Sequence, residues 1–317
     1  MKIPYSEVPT PNRRGPNRDS ELESLHNVKL HLVNVWWHEG RRMARWSQAS
    51  RKLLSATLLL LRDRMKTVLS RDCTHVKGRG GVKGTVRGLA RQVGDFRFVA
   101  RFDIASYYDS MQHHVLFNLL VQTGMEEPLC ALVRQYLELP DLNLTGRGMV
   151  AGGALSPLLG ALYLLPLDKA MLRHTVKTGI YYVRYMDDIV ILAKNRWRLK
   201  AAIRELILVI HSLGLDLHQK KRFIGRIDNG FDFLGYRIHP SRKLRPSTES
   251  LQRLVTRARR LYEQGADGCR LRQYVARWTC WLWGGLEALV SRKGGVKHYT
   301  VFVLKQLQII EIPFSRA

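Results

Sequence analysis

The feature that most constrains the fold of this chain is a pair of acidic residues between two segments of strong β propensity. Ile180–Tyr185 and Ile189–Ala193 are both rich in β-branched and aromatic residues. Asp187 and Asp188 lie in the short connection between them. This pattern predicts a β-hairpin with two carboxylates at its tip. Since aspartate also suits ordinary turns, the pair alone does not establish a functional site.

A third carboxylate, Asp103, ends the apolar run 98–104, which also reads as a strand. An acidic residue at the end of a buried strand is costly unless something pairs with it. If this strand lies beside the hairpin, Asp103, Asp187 and Asp188 converge. Oxygen ligands suit Mg²⁺, and two such ions about 4 Å apart can activate a hydroxyl nucleophile and stabilise a leaving pyrophosphate.

The charge of the chain indicates a polyanionic partner. Its 317 residues contain 52 Lys and Arg against 26 Asp and Glu, a formal charge of +26. Such an imbalance favours nucleic acid first and an anionic membrane surface second, with a merely basic protein as the alternative. The four cysteines have no CxxC spacing, so neither a zinc cluster nor a disulfide framework is indicated. We expect a soluble, cytoplasmic protein without a membrane span.

The order of the predicted elements indicates an α+β fold with a small antiparallel sheet on the split βαβ plan. Residues 1–20 read as an extended or disordered arm, and the apolar spacing of 21–70 predicts two helices, broken near Glu39 and Gly40. The other predicted elements are strands at 98–104 and 231–238, the hairpin, helices at 112–124, 127–137, 156–174 and 196–213, and helices from Arg245 onward.

Five segments in order resemble motifs of reverse transcriptases, from about Thr74 to Ile238. They are Phe102–Ser110, Gly152–Leu159 (GGALSPLL), Tyr185–Asp188 (YMDD), Gly214–Lys221 (GLDLHQKK) and Phe231–Tyr236 (FDFLGY). The resemblance is to the group II intron-like bacterial lineage, which includes diversity-generating and phage-defence enzymes. It implies a right-hand polymerase with fingers, palm and helical thumb. The implied domains are N-terminal helices and fingers at 21–97, a palm at 98–240 with a fingers part around 112–155, and a thumb at 241–317.

The resemblance also implies the metal site and the catalytic residues. Asp103 and Asp187 would bind two Mg²⁺ ions, with Mn²⁺ as an alternative, and Asp188 and the Ile104 carbonyl would assist. Lys221 matches the family lysine that protonates the leaving pyrophosphate. Its neighbour Lys220 is a second candidate, and a surface lysine without such a role is the alternative reading.

Tyr108 matches the aromatic gate that the family places against the ribose 2′-hydroxyl, which favours dNTPs over rNTPs. Tyr107 is expected to point elsewhere, and without the motif both tyrosines read as core aromatics. Backbone N–H groups from four residues are expected to meet the triphosphate. They are Ala105, Ser106, Tyr107 and Tyr108.

Other nucleotide and primer contacts rest on weaker patterns. Ala151 stands where related enzymes usually carry Gln, next to Gly152, so nucleotide choice or template use is expected to be unusual. Lys83 and Arg87 share a helix face and can reach a triphosphate, or form a solvated basic face. The resemblance assigns the primer grip to Phe233, Leu234, Gly235 and Tyr236.

The predicted function is therefore an RNA-directed DNA polymerase in a retroelement or anti-phage defence system. Its partners would be dNTPs, DNA product and an RNA template, which a dedicated non-coding RNA would supply, with an accessory protein or a second copy as further candidates. Two alternatives remain: a non-catalytic RNA-binding protein of the same fold, and an RNA-templated RNA polymerase.

Overall fold

The computed structural model of the chain describes residues 28–291 and 295–308, and the predicted arm at 1–20 lies outside them. The chain divides into two compact units. Unit 1 is the described part of Met1–Val68 together with Gln112–Ser156, and unit 2 is Leu69–Met111 together with the described part of Pro157–Ala317. The chain therefore passes out of unit 2 after Met111 and returns to it at Pro157.

The secondary structure is mixed α and β, as predicted. In chain order, the elements are β1 Leu32–His38, β2 Arg41–Trp46, α1 Gln48–Met65, α2 Gly81–Gln92, β3 Phe98–Phe102, α3 Tyr107–Ser110, α4 His113–Gln122, α5 Glu127–Glu138, α6 Ser156–Tyr163, α7 Leu165–Thr178, β4 Tyr181–Tyr185, β5 Asp188–Ala193, α8 Arg196–Ser212, β6 Phe223–Arg226, β7 Phe231–Phe233, β8 Tyr236–His239, β9 Arg242–Pro246, α9 Thr248–Glu263, α10 Gly268–Trp283 and α11 Val296–Gln306.

Unit 1 contains a β-hairpin where the sequence predicted a helix. β1 and β2 pair antiparallel, and His38 opposite Arg41 closes a two-residue turn. Glu39 and Gly40 both have positive φ, as a type I′ hairpin turn requires. The prediction of a helix before Glu39 was wrong, because β-branched and aromatic residues dominate β1 although its apolar spacing resembles that of a helix. The second predicted helix is present in part as α1, whereas the residues at its predicted start, 41–46, form β2.

Unit 2 is built on a four-stranded antiparallel sheet in the order β4-β5-β3-β6. β5 is inserted between β4 and β3, so both of its edges are hydrogen-bonded, and all but its first residue are buried. This placement explains its nearly uninterrupted apolar sequence. The strand order is that of the predicted split βαβ plan. Helices connect β3 to β4 along the chain, and β5 lies between these two strands in the sheet.

The predicted helix 156–174 is two helices instead of one. α6 ends at Tyr163 and α7 begins at Leu165. Pro166 lies in the first turn of α7, where its missing N–H costs nothing. A proline cannot continue the hydrogen-bonding pattern of a preceding helix, and this explains the break that the apolar spacing did not reveal.

The predicted single strand 231–238 is also divided. β7, β8 and β9 form a three-stranded antiparallel sheet, and Phe233 pairs with Tyr236 across a two-residue turn. Leu234 and Gly235 have φ of +47° and +85°, which gives the backbone a type I′ twist. The helices predicted after Arg245 are present as α9, α10 and α11. In the part of the chain that is described, no helix combines the length and the apolar character needed to cross a membrane.

Candidate active site

Strand pairing brings Asp103 close to the acidic hairpin. Phe102, the last residue of β3, pairs with Ile189 of β5. One step further along the two strands, the next residues are Asp103 and Asp188. Asp187 occupies the two-residue turn between Tyr185 and Asp188, the last pair of the β4–β5 ladder. The three predicted carboxylates therefore belong to adjoining strand ends.

The three carboxylates share one electrostatic environment. The pKa of Asp188 is raised to about 7, first by burial and then by the negative charges of Asp187 and Asp103. Arg101 and Lys221 act in the opposite direction but do not cancel these effects. Because burial and neighbouring negative charges disfavour the ionised form of Asp188, a cation bound at this site would stabilise it.

The carboxylates are not arranged as a complete metal site. Among the described residues, no three His, Cys, Asp or Glu side chains are grouped so that they could hold a metal ion. The electrostatic coupling of Asp188 to its neighbours nevertheless shows that they are close, because charges interact strongly only at short range. Mg²⁺ usually takes one or two carboxylates plus substrate phosphates and water, so the donor set fits an ion that binds together with its substrate.

Lys221 forms an ion pair with the first of these carboxylates. Its Nζ lies 3.1 Å from Oδ2 of Asp103, and its side chain is mostly exposed. Its own carbonyl accepts a hydrogen bond from Arg101 at 3.3 Å. The lysine is therefore held at the edge of the carboxylate cluster while its ammonium group remains open to solvent. This placement supports Lys221 over Lys220 as the lysine of the site.

The turn that carries Asp187 is held by side chains from two directions. The Met186 N–H donates to Nδ1 of His75 at 3.0 Å, and the Met186 carbonyl accepts from Nη1 of Arg184 at 3.0 Å. Burial is the main reason why the pKa of His75 falls to about 4, so the ring is neutral and can accept the hydrogen bond.

Arg184 belongs to a fully buried ion pair with Asp168 of α7. Its Nε and Nη2 lie 2.7 Å from Oδ1 and Oδ2 of that carboxylate, respectively. Nη2 also donates to the Ala161 carbonyl at 2.9 Å, and the Tyr182 hydroxyl donates to Asp168 Oδ1 at 2.8 Å. The guanidinium is thus held at several points, and its Nη1 contacts the Met186 carbonyl in the hairpin turn.

The tyrosine pair lies on the short helix α3. The two rings are stacked, with centroids 5.6 Å apart. Tyr107 is buried and donates from its hydroxyl to the Gly160 carbonyl at 2.5 Å, whereas Tyr108 is half-buried. The expectation that Tyr107 points elsewhere was wrong, because the two residues are helical and not extended. A Cβ on Gly160 would lie 3.3 Å from the ring of Tyr108 and 3.4 Å from that of Tyr107.

The backbone that follows Asp103 is tied to the segment before Lys221. The Asp103 carbonyl accepts from the His218 N–H at 2.7 Å, and the Ala105 N–H donates to the Asp216 carbonyl at 2.8 Å. Ile104, between them, is bridged to Leu217. Since its amide is engaged in this pairing, Ala105 is a weaker candidate for a phosphate contact than Ser106, which has a left-handed backbone with φ of +44°.

Ala151 and Gly152 belong to unit 1. The Ala151 N–H donates to the Arg42 carbonyl of β2 at 2.7 Å, and Gly152 has φ of +68°. A Cβ at the next residue, Gly153, would lie 1.8 Å from the Tyr136 hydroxyl, so only glycine fits there. The motif segment is therefore packed against β2 and α5 within its own unit.

Lys83 and Arg87 contact residues near the C-terminus of unit 2. Lys83 Nζ donates to the Tyr236 hydroxyl and to the Trp281 carbonyl, and lies 5.1 Å and 4.8 Å from the centroids of those two rings. Arg87 donates to the Gly285 carbonyl. Both would have to leave these contacts to reach a triphosphate, so their assignment to nucleotide binding remains a prediction. Lys83 is instead joined to Tyr236, one of the four predicted primer-grip residues.

The four predicted primer-grip residues form the β7–β8 turn. Phe233 and Tyr236 are its paired ends and are buried, and the Tyr236 hydroxyl donates to the Leu282 carbonyl at 2.8 Å. A Cβ at Gly235 would lie 2.9 Å from the Trp281 ring. The turn is therefore held against α10, with Leu234 at its tip.

The sequence interpretation missed three residues that support the hairpin: His75, Asp168 and Arg184. A signal for Arg184 was present, because a charged residue within a strongly apolar strand must be paired if it is buried. The partner Asp168 and the neighbour His75 lie 16 and 111 positions from the residues that they contact. No local pattern predicts contacts of that separation.

Comparison with known proteins identifies the family of the chain. Residues 39–238 match the family described as reverse transcriptase (RNA-dependent DNA polymerase). Protein YkfC of Escherichia coli strain K12 is 24% identical in an alignment of 178 residues, and the match covers 45% of this chain and 47% of YkfC. The chain thus spans about half the length of this curated relative.

Solved structures show the same fold. Apo telomerase from Candida tropicalis, truncated from its C-terminal domain, has a TM-score of 0.52 at 12% identity, over 69% of this chain and 54% of that one. Telomerase from Candida albicans, in complex with a fragment of telomeric RNA, has a TM-score of 0.50 at 10% identity, over 89% and 61%. Because the family match covers most of the chain and includes Asp103, Asp187 and Asp188, this protein belongs to the reverse transcriptase (RNA-dependent DNA polymerase) family.

Proposed function

We propose that this protein is an active RNA-directed DNA polymerase that extends a primer with dNTPs on an RNA template. The observation that carries the proposal is the convergence of Asp103, Asp187 and Asp188 at adjoining strand ends, where burial and then the charges of Asp187 and Asp103 raise the pKa of Asp188 to about 7. Binding RNA does not require converging carboxylates, which repel a polyanion. A role in catalysis accounts for the clustering of these carboxylates.

We propose Asp103, Asp187, Asp188 and the Ile104 carbonyl as the holders of two Mg²⁺ ions, or of Mn²⁺. When bound, the ions would supply activation of the primer 3′-hydroxyl and stabilisation of the leaving pyrophosphate. The excess negative charge at this site fits such a role. Divalent metal use is general in the family.

The other side chains act on the substrates directly. The primer 3′-hydroxyl loses its proton to water, its oxygen bonds to the α-phosphorus of the dNTP, and the bond from that phosphorus to pyrophosphate breaks. Lys221, next to Asp103, donates a proton to the leaving group, and the ring of Tyr108 excludes a ribose 2′-hydroxyl. The turn at Leu234 and Gly235 holds the primer end.

We propose that the chain works in a bacterial retroelement or anti-phage defence system of the group II intron-like lineage. One relative, YkfC, is a protein of Escherichia coli, which supports a bacterial setting. The template would be a dedicated non-coding RNA, and an accessory protein or a second copy could join the complex. Sequencing of the nucleic acid that copurifies with the protein tests this part, and a random sample of cellular RNA would contradict it.

The activity itself is tested by primer extension. Purified protein is given a primer annealed to an RNA or a DNA template, with dNTPs or rNTPs and Mg²⁺. DNA synthesis on the RNA template supports the proposal. Extension with rNTPs alone would identify an RNA-templated RNA polymerase, and tight RNA binding without extension would identify a non-catalytic RNA-binding protein.

A further inference from the structure

The peptide units around Met186 are in an unfavourable conformation. Met186 is the first central residue of the two-residue β4–β5 turn, and its φ is +56°. Glycine usually takes such a position, because a Cβ clashes with the neighbouring carbonyl in the left-handed region. Something outside the turn must therefore stabilise this conformation.

Both polar backbone groups of Met186 are bound by side chains. His75 Nδ1 accepts from its N–H, and Arg184 Nη1 donates to its carbonyl, each at 3.0 Å. These two contacts fix the orientation of the peptide groups on either side of Met186, one of which leads directly into Asp187.

Each of the two side chains is itself held in place. His75 Nε2 lies 2.9 Å from the Pro157 carbonyl. Since a carbonyl can only accept, Nε2 carries the proton and Nδ1 is the acceptor. The neighbouring Thr74 donates from its N–H to the Arg184 carbonyl at 3.0 Å, so the segment that carries His75 is pinned to β4.

Arg184 is held by the two-point contact with Asp168, and both side chains are fully buried. A buried ion pair is often no more stabilising than a well-packed apolar pair of similar volume. This pair has a geometric effect that an apolar pair would lack, because it leaves Nη1 directed at the Met186 carbonyl.

We propose that His75 and Arg184, the latter oriented by Asp168, are positioning residues that clamp Met186 and thereby set the direction of the Asp187 and Asp188 carboxylates. The proposal deepens the proposed polymerase function and rests on it for its catalytic consequence. The clamp itself is a property of the protein without substrate.

The first experiment measures the clamp without catalysis. Hydrogen exchange of the Met186 amide is followed in the free protein, for wild type, His75→Ala and His75→Asn. We expect exchange about tenfold faster in His75→Ala, because one hydrogen bond is lost. We expect most of the protection to return in His75→Asn, whose Oδ1 lies near the former Nδ1. Wild-type protection in His75→Ala would overturn the proposal.

The second experiment measures single-turnover primer extension at saturating dNTP. We expect His75→Ala and Arg184→Lys to lose about 100-fold in rate, with unchanged affinity for the primer–template. His75→Asn should recover much of this rate. Thr279→Val, which removes one hydrogen bond of a buried side chain in α10, is the matched control and should retain the wild-type rate.

The outcomes separate the two proposals. If wild type extends no primer, the proposed polymerase function fails, and the exchange experiment still decides whether the clamp exists. If wild type extends primers while His75→Ala exchanges faster at an unchanged rate of extension, the clamp does not position the carboxylates and the inference is overturned. If His75→Ala does not fold, Arg184→Lys supplies both measurements, and wild-type exchange together with a wild-type rate of extension in that variant would overturn the inference.

Discussion

The ammonium group of Lys221 lies 3.1 Å from the Asp103 carboxylate, whereas the backbone N–H of Lys220 donates to Nδ1 of His218 at 3.3 Å. Since a positioned general acid contributes at least about 100-fold to a rate, Lys221→Ala should slow nucleotide addition by about that factor. Lys220→Ala is the neighbouring control and should change the rate little. Single-turnover kinetics measure both, and equal effects would assign the role to general positive charge instead of Lys221.

Asp103→Asn and Asp187→Asn should each reduce polymerisation by about 1000-fold or more, because they remove oxygen charge where the ions would bind. RNA affinity should be largely spared. Asp228→Asn, at an exposed carboxylate paired with Arg226, is the control. Primer extension and filter binding on the same preparations measure the two quantities, and near wild-type extension by either variant would contradict the metal assignment.

Tyr108→Val should shift the preference from dNTP toward rNTP by about tenfold or more, because discrimination built on a clash is lost with the clashing group. Activity with dNTPs should be largely retained. Tyr107→Phe is the control, since Tyr107 is buried and only its hydroxyl bond to the Gly160 carbonyl would be removed. An unchanged dNTP/rNTP ratio in active Tyr108→Val would make this residue a packing residue.

RNA affinity should fall steeply with salt, as the formal charge of +26 indicates. Each phosphate contact on a single strand contributes a log–log slope of about −0.7. Arg253→Gln and Arg260→Gln, on the exposed face of α9, should each reduce the slope by about that amount if this helix contacts RNA. Titrations over a range of KCl concentrations give the slopes. A flat response in wild type would indicate recognition by stacking and neutral hydrogen bonds.

Stability should depend on pH through His75, whose pKa is lowered from 6.5 to about 4 by burial, with a further contribution from Arg184. Between these two pH values the unfolded state binds more protons than the folded state. The contribution of His75 to stability is therefore fully present above pH 6.5 and is lost as the pH falls toward 4. The loss amounts to at most about 3 kcal/mol. The other titratable or charged groups recorded around this ring are Cys73, Arg79, Arg184, Asp168 and Tyr185.

His75→Asn removes this titration. The free energy of unfolding of wild type minus that of His75→Asn should therefore decrease as the pH falls from 6.5 to 4 and stay constant from pH 7 to 8. Denaturant unfolding at each pH measures it. A difference that does not change with pH would show that His75 titrates normally in the folded protein.

The central sheet and its acidic turn could be predicted because the β propensity of residues 181–193 agrees with the strand pairing that these residues adopt in the folded protein. The β1–β2 hairpin could not, since residues 32–46 have apolar spacing that fits a helix, and only the positive φ at Glu39 and Gly40 decides for a turn. The sequence also contained no information on which side chains would meet across long separations.

The contact between Lys83 and Trp281 spans 198 positions and is an example of that limit. The helix face that carries Lys83 and Arg87 was interpreted as either a phosphate contact or a solvated surface. The structure has a third arrangement, in which both side chains bind backbone carbonyls of the C-terminal helical part. Local charge spacing cannot distinguish a cation that binds phosphate from one that binds carbonyl oxygens.

If Tyr108 excludes the ribose 2′-hydroxyl as proposed, Gly160 is a second position at which a substitution would alter the sugar preference. Its missing side chain is what allows the rings of Tyr107 and Tyr108 to lie against α6. An alanine there would push the Tyr108 ring outward by a few tenths of an ångström while leaving every proposed catalytic and metal-binding residue unaltered. A lineage could therefore narrow or reshape its nucleotide pocket through a single methyl group, 52 positions away in sequence from the tyrosine on which that methyl group would act.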